Sequence, residues 1–417
     1  MLYRSLWQVL SRIKENIFMV NVTELLQNIC NQNGNEIEEW FAAQYAKAGR
    51  VAPIYSSVDV RNAGYKIAPV DTNLFPAGFN NVSKSGAERA SAAFAAHLLA
   101  MKIECKKLVL IVENHSRNMP YFANVLALKH IIEDCGIEVR IARVDLGADE
   151  IITLPYELQA MQAEGFKVEG GRIVTASGFV ADLLLLNNDL SAGMEARFEA
   201  IAQPILPNPY QGWFARRKSQ HFGTYNRLIA DFSNMFGLDS WLISTYIHNC
   251  GKIDFKERKG MECVALGVDK IIHLLKAKHQ QYDILREPYV YVKADSGTYG
   301  MGIMTVRSGD ELLELNKKER NKMNVIKEGV KNEEVIIQEG VPTINMLNGG
   351  AAEPLIYLVG GQVVDIFWRS NPSRDDEISL NASGMQFDGF SSQDFTDATN
   401  IHLIARLASL AAACEDY

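Results

Sequence analysis

Between Tyr289 and Val306 the chain reads YVYVKADSGTYGMGIMTV. Two runs of β-branched and aromatic residues flank a turn that holds Gly297, Gly300 and Gly302 with Ser296 and Thr298. The runs favour strands, and glycines let the backbone turn its amides toward an anion with no Cβ in the way. Lys293, at the end of the first run, supplies a cation. The turn leads from strand to strand, not into a helix. That excludes a Walker P-loop, whose GxxxxGK[ST] signature occurs nowhere in the chain, and a dinucleotide fingerprint, whose pyrophosphate rests on a helix N-terminus. Two readings remain: a flap over phosphates, or a plain glycine hairpin.

The rest of the chain supplies the setting. A length of 417 residues predicts two or three domains. Residues 21–48 read as helical, and from 51 short apolar pieces are punctuated by Gly, Pro and Asn. A helix near 86–102, strand KLVLIVE, a helix near 121–134, strand IEVRIARVD, a hairpin at Gly170-Gly171 and strand ADLLLLNND follow. Short apolar runs alternating with helices predict a mainly parallel sheet covered on both faces. The prolines of QPILPNPYQG mark a boundary, because proline continues neither regular ladder. The second half predicts helices near 216–236 and 262–280, a strand WLIST between them, the glycine hairpin and a helical 309–328. Strand EVIIQEG, the hairpin EPLIYLVGGQVVDIFWR turning at Gly360-Gly361, a polar loop and a C-terminal helix complete it. The expected class is α/β, with a helical extension at 1–20, an α/β substrate domain at 21–205 and a second domain at 206–417.

Charge and cysteine usage narrow the partners. Lys plus Arg (42) against Asp plus Glu (50) gives −8 with no basic block, a poor match for nucleic acid or anionic membrane. Six cysteines without a CxxC pair exclude a zinc ribbon and read as reduced thiols of a cytoplasmic protein. The first eighteen residues carry Arg4, Arg12, Lys14 and Glu15, too many charges for a signal-peptide apolar region. His221 and His248 lack the paired spacing of metal ligands. Small-molecule substrates are expected, and a homo-oligomer is left open.

A lysine-bearing strand, a glycine hairpin, then a strand ending Gln338-Glu339-Gly340-Val341-Pro342 resembles the ATP-grasp fold. The resemblance implies an ATP-grasp domain following the α/β domain. It implies that the 296–302 loop, with Ser296, Gly297, Thr298, Tyr299, Gly300 and Gly302, covers a triphosphate. Gln338, Glu339 and Val341 would hold the adenine end, Lys218 would be a first nucleotide lysine, and Arg369 a phosphate-contacting arginine. Glu353 stands where the family has an acid on ribose or metal. The usual Glu-x-Asn strand that holds two magnesium ions is missing near the C-terminus, which leaves Glu353, Asp365 and Asn381 as the nearest ligands for Mg2+.

Within that superfamily the segments VDVRNAGYKIAPVDTNLFPAGFNN (58–81), HFGTYNRL (221–228), KADSGTYGMGI (293–303) and WRSNPSRDDEISLNASGMQF (368–387) resemble the proteobacterial-type glutamate–cysteine ligase. The resemblance implies that ATP phosphorylates the γ-carboxylate of glutamate and that the amine of cysteine displaces phosphate, the first step of glutathione synthesis. Lys293 and Arg369 would stabilise the transferred phosphoryl group. Arg61, Asp71, Asn73, Asn80, Asn81, Asn381 and Ser383, with Lys66 beside them, would serve the amino-acid substrates. Another carboxylate–amine ligase of the same fold, and a nucleotide-binding protein without ligase activity, stay open at this level.

Overall fold

The computed structural model describes residues 21–115, 117–156, 160–296, 302–324 and 333–416. The expected extension at 1–20 and the loop residues Gly297, Thr298, Tyr299 and Gly300 lie outside them.

Two helices open the described chain, α1 (Val22–Gln32) and α2 (Gly34–Ala48). The Asn21 side chain caps the first, and Gly49 ends the second in the left-handed conformation that glycine adopts without strain. Strands β1 (Tyr55–Asn62) and β2 (Ile67–Asn73) follow as an antiparallel pair, then α3 (Lys84–Ala100).

Next comes the parallel sheet that the sequence predicts. Strand β3 (Lys107–Val112), helix α4 (Met119–Glu133) and strand β4 (Glu138–Arg143) lead through β5 (Ile151–Leu154) and β6 (Met161–Glu164). A hairpin of β7 (Phe166–Glu169) and β8 (Arg172–Thr175) turns at Gly170-Gly171, before β9 (Leu183–Leu186) and the two-residue β10 (Ile205–Leu206). The sheet order is β10-β9-β3-β4-β6-β5, parallel except between β5 and β6. Leu108 and Leu110 pack into one apolar cluster, Val109 and Ile111 into another. Covered on both faces, the central strands β3 and β9 are almost continuously apolar, not alternating.

Helix α5 (Lys218–Phe236) leads to a short 3-10 turn at Ser240–Ile243, then β11 (Ile247–Lys252) and α6 (Met261–Gln281). The expected strand WLIST is this turn instead. Asp239 accepts from the Trp241 backbone N–H, and Trp241, Leu242 and Ile243 are all buried by it. Strands β12 (Val290–Ala294) and β13 (Ile303–Val306) bracket the glycine segment, and helices α7 (Gly309–Leu313) and α8 (Lys317–Met323) divide the expected helical stretch. With β14 (Glu334–Glu339) they complete an antiparallel sheet of order β11-β14-β12-β13.

The last strands are β15 (Met346–Leu347), β16 (Gly350–Val359), β17 (Gln362–Asn371) and β18 (Gln386–Gly389), then α9 (Ser392–Asp397) and α10 (Thr399–Ala413). β16 and β17 form the expected hairpin at Gly360-Gly361. The sheet continues across them in the order β18-β17-β16-β1-β2, so the N-terminal strands complete a C-terminal sheet. The division expected at 205/206 therefore does not follow the sheets. Trp40 and Phe41 of α2 share a core with Phe232 of α5 and Leu407 of α10. No helix among the described residues is long and apolar enough to cross a membrane.

Candidate active site

Alternate strand residues share a face. On β1 these are Ser57, Asp59 and Arg61. Asp71 stands opposite Asp59 on β2, and Glu353 opposite Arg369 on β16 and β17. The small sheet faces this row with Tyr291 and Lys293 of β12. One cavity lies between the sheets, lined by Asp59, Arg61, Asp71, Lys218, Lys293, Glu353 and Arg369, with Asn381 at its edge. Lys218 reaches it because the end of β12 caps α5. The Asp295 carbonyl accepts from the Lys218 N–H (2.7 Å), and its carboxylate accepts from the Ser219 N–H (2.7 Å) and hydroxyl (2.6 Å).

The floor is a chain of alternating charges. Arg61 Nε donates to Glu353 Oε2 (2.6 Å), and Arg369 donates to Glu353 Oε1 through Nε (3.0 Å) and Nη2 (2.6 Å) and also to Asp59. Burial resists ionisation of Glu353, but Arg61 and Arg369 hold it below the usual carboxylate range. Asp59 is pushed up to about 6, by burial first and by the neighbouring Glu353 and Asp71, against Arg369. Asp71, half-buried, is held at about 2 by Lys218 and Lys293 against the cost of desolvation. Lys218 Nζ donates to Asp71 Oδ1 (2.6 Å), and Lys293 Nζ to the Val70 carbonyl (3.0 Å) and Gln338 Oε1 (2.8 Å). Burial brings Lys293 down to about 8.

A second cavity adjoins the first and shares Asp59, Asp71, Arg369 and Asn381 with it. Asn73 and Asn81 line it, together with Glu113, Asn187 and Asp189 from the ends of β3 and β9.

Several expected site residues stand elsewhere or are already engaged. Arg61 lines the first cavity, yet its guanidinium also donates to the Tyr291 hydroxyl (2.7 Å) and to the carbonyls of Val341, Asp376 and Ile378, so it staples the floor. Glu339 accepts from Lys66 (2.5 Å), Trp241 Nε1 (3.1 Å) and the Tyr246 N–H (2.9 Å), a buried structural cluster. Neither it, Val341 nor Gln338 lines either of these two cavities; Gln338 instead steadies Lys293. Gly302 accepts from the Ala294 N–H (2.8 Å) beside the paired ends of β12 and β13. Asn80 bonds to Asn81 and lines neither cavity, and Ser383 offers its carbonyl to Asn371. Asp365 lies at the start of α3, accepting from the Ser83 N–H (2.6 Å) and pairing with Arg89 (3.4 Å). That is away from both cavities and removes it from a metal site. Asp59, Tyr291, Glu113 and Asp189 are additions that the sequence did not single out. The spacing Asp71-Thr72-Asn73 was a usable signal: an acid-x-Asn pair, but at the N-terminal end of the chain.

The sequence profile of glutamate–cysteine ligase matches residues 27–416. The chain belongs to the glutamate–cysteine ligase family. A candidate gamma-glutamylcysteine synthetase from Methylobacillus flagellatus KT is similar in structure, with 37% identity and a TM-score of 0.85 over 95% of this chain and 96% of that one. A glutathione synthetase-like effector from Globodera pallida (11% identity, 89% and 85% covered, TM-score 0.43) and D-alanyl-alanine synthetase A from Vibrio cholerae (9%, 72% and 81%, 0.33) are far more distant. No curated protein matches the chain. As a glutamate–cysteine ligase, it is an enzyme that uses ATP to join glutamate to cysteine, and its fold is the mixed α/β arrangement of such ligases.

Proposed function

We propose that the shared edge of the two cavities is where the γ-carboxylate of glutamate meets the γ-phosphate of ATP. The carrying observation is that Asp59, Asp71, Arg369 and Asn381 line both spaces, with cations concentrated on one side. A glutamate γ-oxygen attacks the γ-phosphorus, the bond to the β,γ-bridging oxygen breaks, and ADP leaves. Lys218, Lys293 and Arg369 are placed to offset the charge on the transferred phosphoryl oxygens. The neutral amine of cysteine then attacks the acyl carbon, the C–O bond to phosphate breaks, and the amine gives up its remaining extra proton. The 296–302 segment would cover the phosphates and keep water from the acyl phosphate.

A magnesium ion fits this donor set. Among the described residues no three acidic, imidazole or thiol groups converge on one point. Asp59 and Asp71 do face each other across β1 and β2, with Asn73 two residues on. Asp59, Asp71 and Asn73 would hold the ion through oxygen, with phosphate oxygens and water completing its shell. Bound there, it would neutralise triphosphate charge. Free thiols throughout the described chain favour a reducing compartment, and we assign the reaction to the cytoplasm.

Isotope transfer tests the assignment. Glutamate labelled with oxygen-18 in its γ-carboxylate should deliver one labelled oxygen to the phosphate released. Unlabelled phosphate under full turnover would exclude the acyl phosphate route.

A further inference from the structure

The second cavity has a charge pattern opposite to that of the first. Four cations and three carboxylates line the first: Arg61, Lys218, Lys293 and Arg369 against Asp59, Asp71 and Glu353. Four carboxylates and a single cation line the second: Asp59, Asp71, Glu113 and Asp189 against Arg369. One space suits a polyphosphate, the other a group carrying an ammonium.

Glu113 and Asp189 stand where an open parallel sheet builds its ligand crevice. From β3 the chain moves to β4 on one side, while β9 pairs on the other. The strand order thus reverses between β3 and β9, and ligands bind beyond the carboxyl ends of strands at such a point. Glu113 follows the last residue of β3, and Asp189 comes three residues after β9. Both are buried and rigidly set. Glu113 Oε1 accepts from the Asp189 N–H (3.2 Å), and the Tyr121 hydroxyl accepts from the Glu113 N–H (2.8 Å) while donating to the Asn187 carbonyl (2.9 Å).

We infer that Glu113 and Asp189 seat the α-ammonium of the glutamate substrate and so select an amino acid over a plain dicarboxylic acid. This rests on the reaction edge proposed above. Both substrates carry an α-nitrogen, but that of cysteine is the nucleophile. It must be neutral and beside the acyl carbon, so a distant carboxylate pair would hold it in the wrong place and protonation state. The α-ammonium of glutamate takes no part in bond making and lies three carbons from the reacting carboxyl. With Arg369 drawing the γ-carboxylate to the shared edge, the far acidic wall is left for that ammonium.

Glu113→Gln and Asp189→Asn keep an acceptor oxygen and remove the charge. In the full chain, with ADP formation as readout, each should raise the glutamate KM by about 10- to 100-fold, the scale of one charged hydrogen bond. The ATP and cysteine KM values should stay within about twofold of the parent. Oxygen-18 transfer to phosphate should persist at saturating glutamate, which separates this inference from the reaction it rests on. An unchanged glutamate KM, or a rise confined to cysteine, overturns it. Calorimetry on the unaltered chain supplies a check that needs no variant: glutarate, which is glutamate without its amino group, should bind at least about tenfold more weakly than glutamate. Equal binding overturns the inference as well.

Discussion

Burial lowers Lys293 to about 8, with Lys218 and Arg61 adding to the effect and Asp71 and Asp59 opposing it. A triphosphate beside it favours the ammonium form. Nucleotide binding above that pH must therefore take up a proton, and affinity falls as pH rises through about 8, by at most about tenfold per unit. ATP titrations across this range should show the decline in the parent and a flat curve in Lys293→Arg, since a guanidinium stays charged. Lys293→Met should cut turnover by about 10²-fold; an unchanged rate in a folded variant would remove the lysine from the site. Lys293 was legible because it borders the glycine segment, and Arg369 because a cation ending an apolar strand needs a partner. Arg61 shows the opposite limit. Its residue type announces an anion site, but only the folded chain reveals that Glu353 and three carbonyls engage it. Asp59 was hidden by its setting, one polar residue in the alternating VDVR, and it acquires meaning only when pairing puts it opposite Asp71.

At the scale of elements, Asp365, expected as a metal ligand, and Asp71, expected to serve the amino-acid substrates, belong to different devices. Asp71 lies on β2 with Asn73, whereas Asp365 of β17 receives the first turn of α3. A Cβ on Gly86 would stand 2.4 Å from Asp365 Oδ2, so glycine lets that turn approach the carboxylate. Asp71→Asn should raise the magnesium concentration for half-maximal activity by about 10- to 100-fold. Asp365→Ala should leave it unchanged while lowering unfolding free energy by about 1–2 kcal/mol, the cost of a lost helix-start acceptor. Magnesium titrations and urea melts of both variants separate the roles, and a magnesium defect in Asp365→Ala would restore it as a ligand. Strands β3 and β9 were readable because near-complete burial leaves an almost unbroken apolar run. WLIST has the same composition, yet Asp239 caps it into a 3-10 turn, so local apolarity could not tell the two apart. The pairing of β1 with β16 left no local trace, because sheet partners distant in sequence are chosen by the packing of the whole chain.

That pairing makes the molecule hard to divide. The C-terminal Glu415 accepts from Arg216 Nε (2.8 Å) and Nη2 (2.7 Å) and pairs with His221 Nδ1 (2.7 Å), while Arg216 Nη1 donates to the Thr72 carbonyl (2.7 Å) between Asp71 and Asn73. The N-terminal strand that carries the acid-x-Asn pair is thus tied through one buried guanidinium to the last turn of the chain. Burial opposes ionisation of Glu415, but Arg216 and His221 hold it at about 2, below its unfolded value. The stabilisation is complete above that unfolded value and is lost as pH falls toward 2. Glu415→Gln leaves Arg216 buried without its counter-charge and should cost about 3–5 kcal/mol at neutral pH, with less further loss in acid than the parent shows. The larger consequence concerns the boundary at 205/206. A fragment beginning at 206 would expose the edge of β16 that β1 covers and the core that Trp40 and Phe41 fill. An open strand edge above an open core is an aggregation surface and not a domain boundary. The 206–417 fragment should therefore fail to fold alone, and adding residues 21–205 in trans should rescue it. A cooperative thermal transition of the isolated fragment, with near-native circular dichroism, would show that the two halves are separable after all.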